Sequence, residues 1–179
     1  MDLLCLDFVN TQWFCKHKPF KENLLDIQWR KNFFEKWNIE VEDINEEEIN
    51  TLINFRSEFF QVLSQTCNEK TVSEESLRFF NKYLDRVNLR RKIKYKYGMF
   101  KIDMIPDVTG VNLILYEIML SCAELICTYN IEYLKMCSNP ECDWIFYDDS
   151  KSHTRKWCDN KCASLMKVRK HRAKKLEMQ

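Results

Sequence analysis

Cys137-Ser138-Asn139-Pro140-Glu141-Cys142, followed after fifteen intervening residues by Cys158-Asp159-Asn160-Lys161-Cys162, is the stretch on which the fold turns. Tetrahedral zinc takes four soft ligands at about 2.3 Å, and two close cysteine pairs on a hairpin-length spacer deliver them from two backbone segments. Between the pairs, Trp144-Ile145-Phe146-Tyr147 reads as a strand and Asp148-Asp149-Ser150 as a turn, with Lys156-Trp157 returning as a second short strand. From Cys158 onward the composition is helical, which predicts Cys158 and Cys162 on one face of a helix start, where the helix dipole favours thiolates. A knuckle, a hairpin and a helix N-terminus closing on one ion describe a treble-clef-like zinc finger. Four thiolates leave zinc no open position, so one structural Zn2+ is expected, held by Cys137, Cys142, Cys158 and Cys162. A region this small scarcely holds a core, so metal binding should supply most of its folding free energy, on the order of 10 kcal/mol.

Charge changes where the cysteines begin. Residues 151–175 hold ten basic side chains against Asp159 alone, while residues 1–150 hold 18 basic against 25 acidic, so the net charge of +1 conceals an acidic body and a cationic end. Cationic ends commonly meet phosphates. On the predicted last helix Lys167, Lys170, His171 and Lys174 share one face, flanked by Arg169, Arg172 and Lys175, with Leu165, Val168 and Leu176 as a narrow apolar stripe for packing back. A rigid cationic helix fits a duplex major groove and its phosphate rims. Arg169 and Arg172 suit bidentate guanine contacts and the lysines phosphates.

The chain ahead of the cysteines reads as helices with one interruption. Leu25, Trp29, Phe33 and Trp37 recur at helical spacing, as do Ile49, Leu52, Phe59 and Leu63, and Ser73 caps a further helix through Leu77, Phe80 and Leu84. Around Gly98 the period drops to two, with Ile93, Tyr95, Phe100 and Ile102 alternating with charged residues, which predicts a β-hairpin near 92–104. Helical spacing resumes from about Thr109 to about Leu134 as a central core helix. The expected fold class is mainly α with a small β-hairpin (α+β), divided into a helical domain over 1–134 and a finger over 135–179.

Composition narrows the functions. A 179-residue chain with 45% apolar residues buries a core, and five Gly and Pro residues leave no glycine-rich phosphate loop. The most apolar run, residues 111–126, carries Glu117 and Glu124, and Met1-Asp2 opens without a basic leader, so no membrane partner and a cytoplasmic protein are expected. In that compartment Cys5, Cys15, Cys67, Cys122 and Cys127 read as buried thiols. No nucleophile has an evident base partner, so no enzyme is expected. Asp7 and Asn10 sit among apolar neighbours; with Trp13 as a wall they are a candidate pocket for a small-molecule effector, against the alternative that both bond to nearby backbone.

Cys137-Ser-Asn-Pro-Glu-Cys142-Asp-Trp144-Ile-Phe146-Tyr-Asp148-Asp-Ser150, then Arg155-Lys-Trp157-Cys158, Cys162 and Lys167-Val-Arg169-Lys-His171-Arg172, resemble the CGNR zinc finger of bacterial transcription regulators. The opening Leu3-Leu4-Cys5-Leu6-Asp7-Phe8-Val9-Asn10-Thr11 resembles the start of the ABATE domain that precedes this finger. The resemblance implies a stress-induced regulator with a sensing or assembly domain and a zinc finger that binds double-stranded DNA. It assigns DNA-facing roles to Arg155, Lys156, Lys167, Arg169, His171 and Arg172. The family's Cys-Gly-Asn-Arg is here Cys162-Ala163-Ser164-Leu165, so a contact made by that Arg is missing. The competing expectations are a zinc-stabilised protein-interaction module and an RNA-binding protein; a homodimer is a further expectation.

Overall fold

The computed structural model describes residues 2–18 and 20–177, without the side chains of Lys174, Leu176 and Glu177. Seven helices and two hairpins follow in chain order: α1 (Leu4–Asn10), α2 (Trp13–Lys16), α3 (Ile27–Lys36), α4 (Glu46–Glu69), α5 (Glu74–Leu84), β1 (Leu89–Lys96), β2 (Met99–Pro106), α6 (Gly110–Thr128), β3 (Leu134–Met136), β4 (Ile145–Tyr147) and α7 (Asn160–Glu177). Short 3-10 turns occupy Asn23–Leu25 and Ile131–Tyr133.

The longest helix, α4, starts on a capping box. The Glu48 amide donates to Asn45 Oδ1 at 3.0 Å and the Asn45 amide to Glu48 Oε2 at 2.9 Å, while Glu46, Glu47 and Glu48 complement the positive end of its dipole. Its buried residues Ile49, Leu52, Phe55, Phe59 and Leu63 recur every three or four positions, one stripe facing the core. α5 begins where the sequence predicts, with the Ser76 amide donating to Ser73 Oγ at 3.1 Å. α1 and α5 pack against α6, and α4 against both α1 and α6. By length and composition α6 is apolar enough to cross a membrane, yet Ile114, Ile118, Met119, Cys122 and Leu125 are fully buried inside the protein.

The core helix is shorter than its apolar spacing predicts. It stops at Thr128, because Tyr129 takes an extended conformation and Asn130 accepts from the Glu132 amide at 3.0 Å to start a separate turn. The chain then enters β3, which pairs with β4 in the register Leu134↔Tyr147, Lys135↔Phe146, Met136↔Ile145. Lys156-Trp157 forms no strand, so the finger's hairpin is built from the strands flanking its first cysteine pair. Leu134 and Ile145 are fully buried in the same core as α1, α4 and α6.

Asn10, on α1, completes this joint. Its Nδ2 donates to Ile145 O at 2.7 Å and its Oδ1 accepts from the Ile145 amide at 2.9 Å, a reciprocal pair that satisfies a strand edge. At the end of α4, the capping residue Lys70 donates from Nζ to Leu134 O at 2.8 Å. The hairpin over 92–104 forms, extended to Leu89–Pro106, with Tyr97 and Gly98 both at positive φ (53° and 78°) in the turn.

Candidate metal centre

The four cysteine sulfurs lie within 4.8 Å of one another. Cys142 Sγ is 3.6 Å from Cys158 Sγ, which is 3.7 Å from Cys162 Sγ. A tetrahedron with bonds of about 2.3 Å has edges of about 3.8 Å. The donor set therefore fits zinc in ligand type, number and spacing.

Local backbone chemistry builds the site. The Cys137 amide donates to Trp144 O at 2.8 Å and the Cys142 amide to Asn139 O at 2.9 Å, folding the knuckle. The Ser138 amide donates to Lys156 O at 2.8 Å, bringing the segment before the second pair alongside the first. Two donors reach sulfur directly: the Cys158 amide to Cys137 Sγ at 3.4 Å and Asn139 Nδ2 to Cys162 Sγ at 3.5 Å. Cys158 precedes α7 rather than sharing its first turn with Cys162, because Asp159 Oδ1 accepts from the Cys162 amide at 2.8 Å and starts the helix after Cys158.

Electrostatics point the same way. Burial pushes the Cys142 thiol up to about 12, and burial followed by the adjoining Cys142 thiol pushes Cys158 higher still. Burial opposes ionisation of Cys137 too, but the amides of Asn139 and Cys158 and the neighbouring thiols outweigh it and lower its pKa. A bound dication would favour the thiolate form of all four. With every coordination position taken by sulfur, the ion's contribution is folding free energy rather than catalysis.

A buried ion pair braces the loop that returns to Cys158. Asp148, without solvent exposure, accepts from Lys135 Nζ at 2.6 Å, Ser150 Oγ at 2.6 Å and the Arg155 amide at 2.8 Å. Burial works against its charge, yet these donors hold its carboxyl far below the usual carboxylate range. Lys135 Nζ also donates to His153 O at 2.6 Å. His153 stacks on Tyr133 with ring centroids 3.6 Å apart and lies outside the sulfur cluster. Spacing gives no hint of the Lys135–Asp148 pair; only the buried-strand reading of Ile145–Tyr147, with an acid immediately after it, marks Asp148.

The residues expected to face DNA divide into two groups. Lys156, Lys167, Lys170, His171, Arg172 and Lys175 are exposed. The other two are engaged within the protein. Arg155 Nε donates to Trp157 O at 2.9 Å, its Nη2 bonds Cys158 O, and its guanidinium lies 4.8 Å over the Phe146 ring, so it is a structural part of the finger. Arg169 Nη2 donates to Glu141 Oε2 at 2.6 Å, tying α7 back to the knuckle. Lys174 lies outside the described side chains, as does Leu176. Leu165 and Val168 are 42% and 46% exposed, so these two residues of the apolar stripe do not pack back.

Asp7, Asn10 and Trp13 do not line a common pocket. Asp7 pairs with Lys36 at the surface, Asn10 is committed to Ile145, and Trp13 packs on the finger, 6.1 Å from Trp144 and stacked at 4.1 Å on His17. The space bounded by Asn10, Trp13 and Cys142 is about 10 Å³, room for no more than one water. These residues serve as an interface instead. Lys16 Nζ reaches Asp143 Oδ2 at 3.3 Å and His17 Nε2 bonds Glu141 O, so α2 clasps the knuckle. Of the remaining cysteines, Cys5, Cys67 and Cys122 are buried as expected; Cys15 is half-buried beside Glu22 and Arg56, and Cys127 is exposed at the end of α6, off its core-facing stripe.

Residues 133–175 match the CGNR zinc finger family, and this segment is a zinc finger of that family. None of the curated proteins matches the chain.

Proposed function

We propose that the chain is a DNA-binding transcription regulator in which zinc holds α7 out as a cationic rod, and in which the helical body senses a signal or mediates assembly. The observation that carries this reading is the exposure of Lys156, Lys167, Lys170, Arg172 and Lys175 on and beside α7. Phosphates would neutralise these side chains and release counterions. The Arg169–Glu141 pair is solvent-exposed, so a phosphate replaces Glu141 at little cost. The resemblance adds a bacterial, stress-induced setting in the cytoplasm. For an effector, an open groove of about 700 Å³ between α3 and residues 38–44, with Phe34, Ile39 and Val41 among its walls, has the size a small molecule needs.

The test is fluorescence anisotropy with a labelled duplex across a salt series, using the zinc-loaded chain. About five phosphate contacts give a log–log slope near −4.5, and Lys167→Ala with Lys170→Ala lowers its magnitude by roughly two at unchanged zinc content. Absence of binding at low salt overturns the reading. Tighter binding to RNA than to an equal-length duplex turns it toward structured RNA. Leu165 and Val168 favour a second reading, a zinc-stabilised protein-interaction module, since a solvated helix seldom leaves two adjacent apolar side chains bare. Loss of a protein partner with Leu165→Asp, with duplex affinity absent from the start, supports that reading.

A further inference from the structure

The β1–β2 hairpin stands clear of the body: beyond the base of the ribbon, no other element packs on either face. The register puts Ile93 opposite Ile102, Tyr95 opposite Phe100 and Arg91 opposite Met104, so one face carries Leu89, Ile93, Tyr95, Phe100, Ile102 and Met104, with Arg91 as its one cation near the base. These side chains are 40–77% exposed. The Tyr95 and Phe100 rings already touch, with centroids 4.9 Å apart. The reverse face carries Arg90, Lys92, Lys94, Lys96 and Lys101, with Met99 and Ile105, against Asp103, which pairs with Lys94. An isolated two-stranded hairpin is marginally stable in water, and this one keeps a continuous apolar face in solvent.

We propose that this face is a homodimer interface, with two hairpins packed apolar side to apolar side about a twofold axis. The two-faced chemistry selects this occupant. A duplex held by the cationic face would leave the apolar face in water. A lipid bilayer entered by the apolar face would turn the five cations away from the headgroups. A second hairpin covers the apolar face and leaves the five cations of the reverse face solvated, the arrangement of a small sandwich with sheets about 10 Å apart. The match in size is also right: six half- to mostly exposed large side chains present on the order of 800 Å² per copy, half of a standard specific interface. An isologous contact is self-complementary by construction, since each apolar pair that meets a different pair of the partner is matched by the reverse contact across the axis. Charge opposes this contact, since each hairpin is +5, so the apolar area must outweigh that repulsion and the dimer should tighten as salt rises. This assembly does not depend on duplex binding.

Sedimentation velocity on the zinc-loaded full chain tests it. The wild type should sediment at twice the 21.8 kDa chain mass in the micromolar range. Ile93→Asp with Ile102→Asp, on side chains the body does not touch, should weaken dimerisation at least 100-fold with helical content and zinc unchanged, and Lys92→Ala with Lys96→Ala should leave the dimer intact. Hydrogen exchange should report slower exchange across residues 89–106 in the wild type as concentration rises. A wild type monomeric up to ~100 µM overturns the proposal. So does a dimer that survives the Asp pair, as does hairpin-dependent binding to phosphatidylserine vesicles by a chain that stays monomeric.

Discussion

Phe8, Phe59, Ile114, Ile118 and Met119 lose all or nearly all exposure in the helical body, whereas the cluster around the cysteines buries three apolar residues, Cys137, Cys142 and Phe146, with Trp13, Trp144 and Trp157 at its margin. The body is held by apolar area removed from water, each large side chain contributing about 1.5–3 kcal/mol. The finger has too little such area and depends on a metal. The contrast teaches that one chain of ordinary length can carry two stability mechanisms that respond to different insults, joined at a seam whose buried hydrogen bonds run between Asn10 and Ile145.

The sharpest way to break that contrast is to remove a ligand. Cys142→Ser should abolish stoichiometric zinc, costing the finger most of the roughly 10 kcal/mol that the ion provides. Residues 137–177 should lose exchange protection while α4 and α6 stay helical. Native mass spectrometry showing a full equivalent of zinc in this variant would refute the assignment.

A core deletion in the body should do the reverse. Phe59→Ala should destabilise the protein by about 3–5 kcal/mol in urea unfolding, since Phe59 is fully buried against Phe55 and Phe79. Equal loss in the presence and absence of chelator would show that the two mechanisms are independent.

Acid distinguishes the regions next. The Cys142 and Cys158 thiols stand above their ordinary values without the ion and must be deprotonated to bind it, so zinc affinity is present at high pH and is lost as pH falls. Between pH 7.5 and 6.5 a competing chelator should report a drop of at least about 100-fold, while the body's helical signal holds. Asp148 adds a contribution of the same sign at lower pH: its carboxyl is held below the usual range, so the stability it gives is complete above an ordinary Asp pKa of about 3.9 and lost on further acidification.

The smallest effect belongs to the seam. Asn10→Ala leaves the Ile145 amide and carbonyl buried without partners, a cost of about 1–3 kcal/mol. Differential scanning calorimetry should then resolve two transitions where the wild type has one.

The seam is also where legibility in the sequence runs out. The cysteine spacing carries the metal site whole, because thiolate coordination is a local demand met by two short segments. Period-two alternation around Gly98 carries the hairpin, and Ser73 carries a helix start. The Asn45–Glu48 capping box was equally readable, being three residues apart before an apolar run. Asn10 read either as a pocket residue or as a partner of nearby backbone, because its partner Ile145 lies 135 positions away. Arg155 and Arg169 read as free cations, since nothing local announces that carbonyls of Trp157 and Cys158, or the Glu141 carboxylate, will claim them. Trp13, His17 and Lys16 belonged to no periodic stripe, and their hold on the knuckle is a contact between distant segments.

Sequence alone determined which atoms grip the ion, which segments coil, where the ribbon turns and how charge divides between body and tail, since each follows from residue type and short-range spacing. Tertiary structure alone decided which cations are engaged, that the apolar face of the ribbon finds no cover among the described residues, and that the finger's strands complete the body's core. Those outcomes depend on which distant groups meet when apolar surface is buried, and no local pattern encodes a meeting.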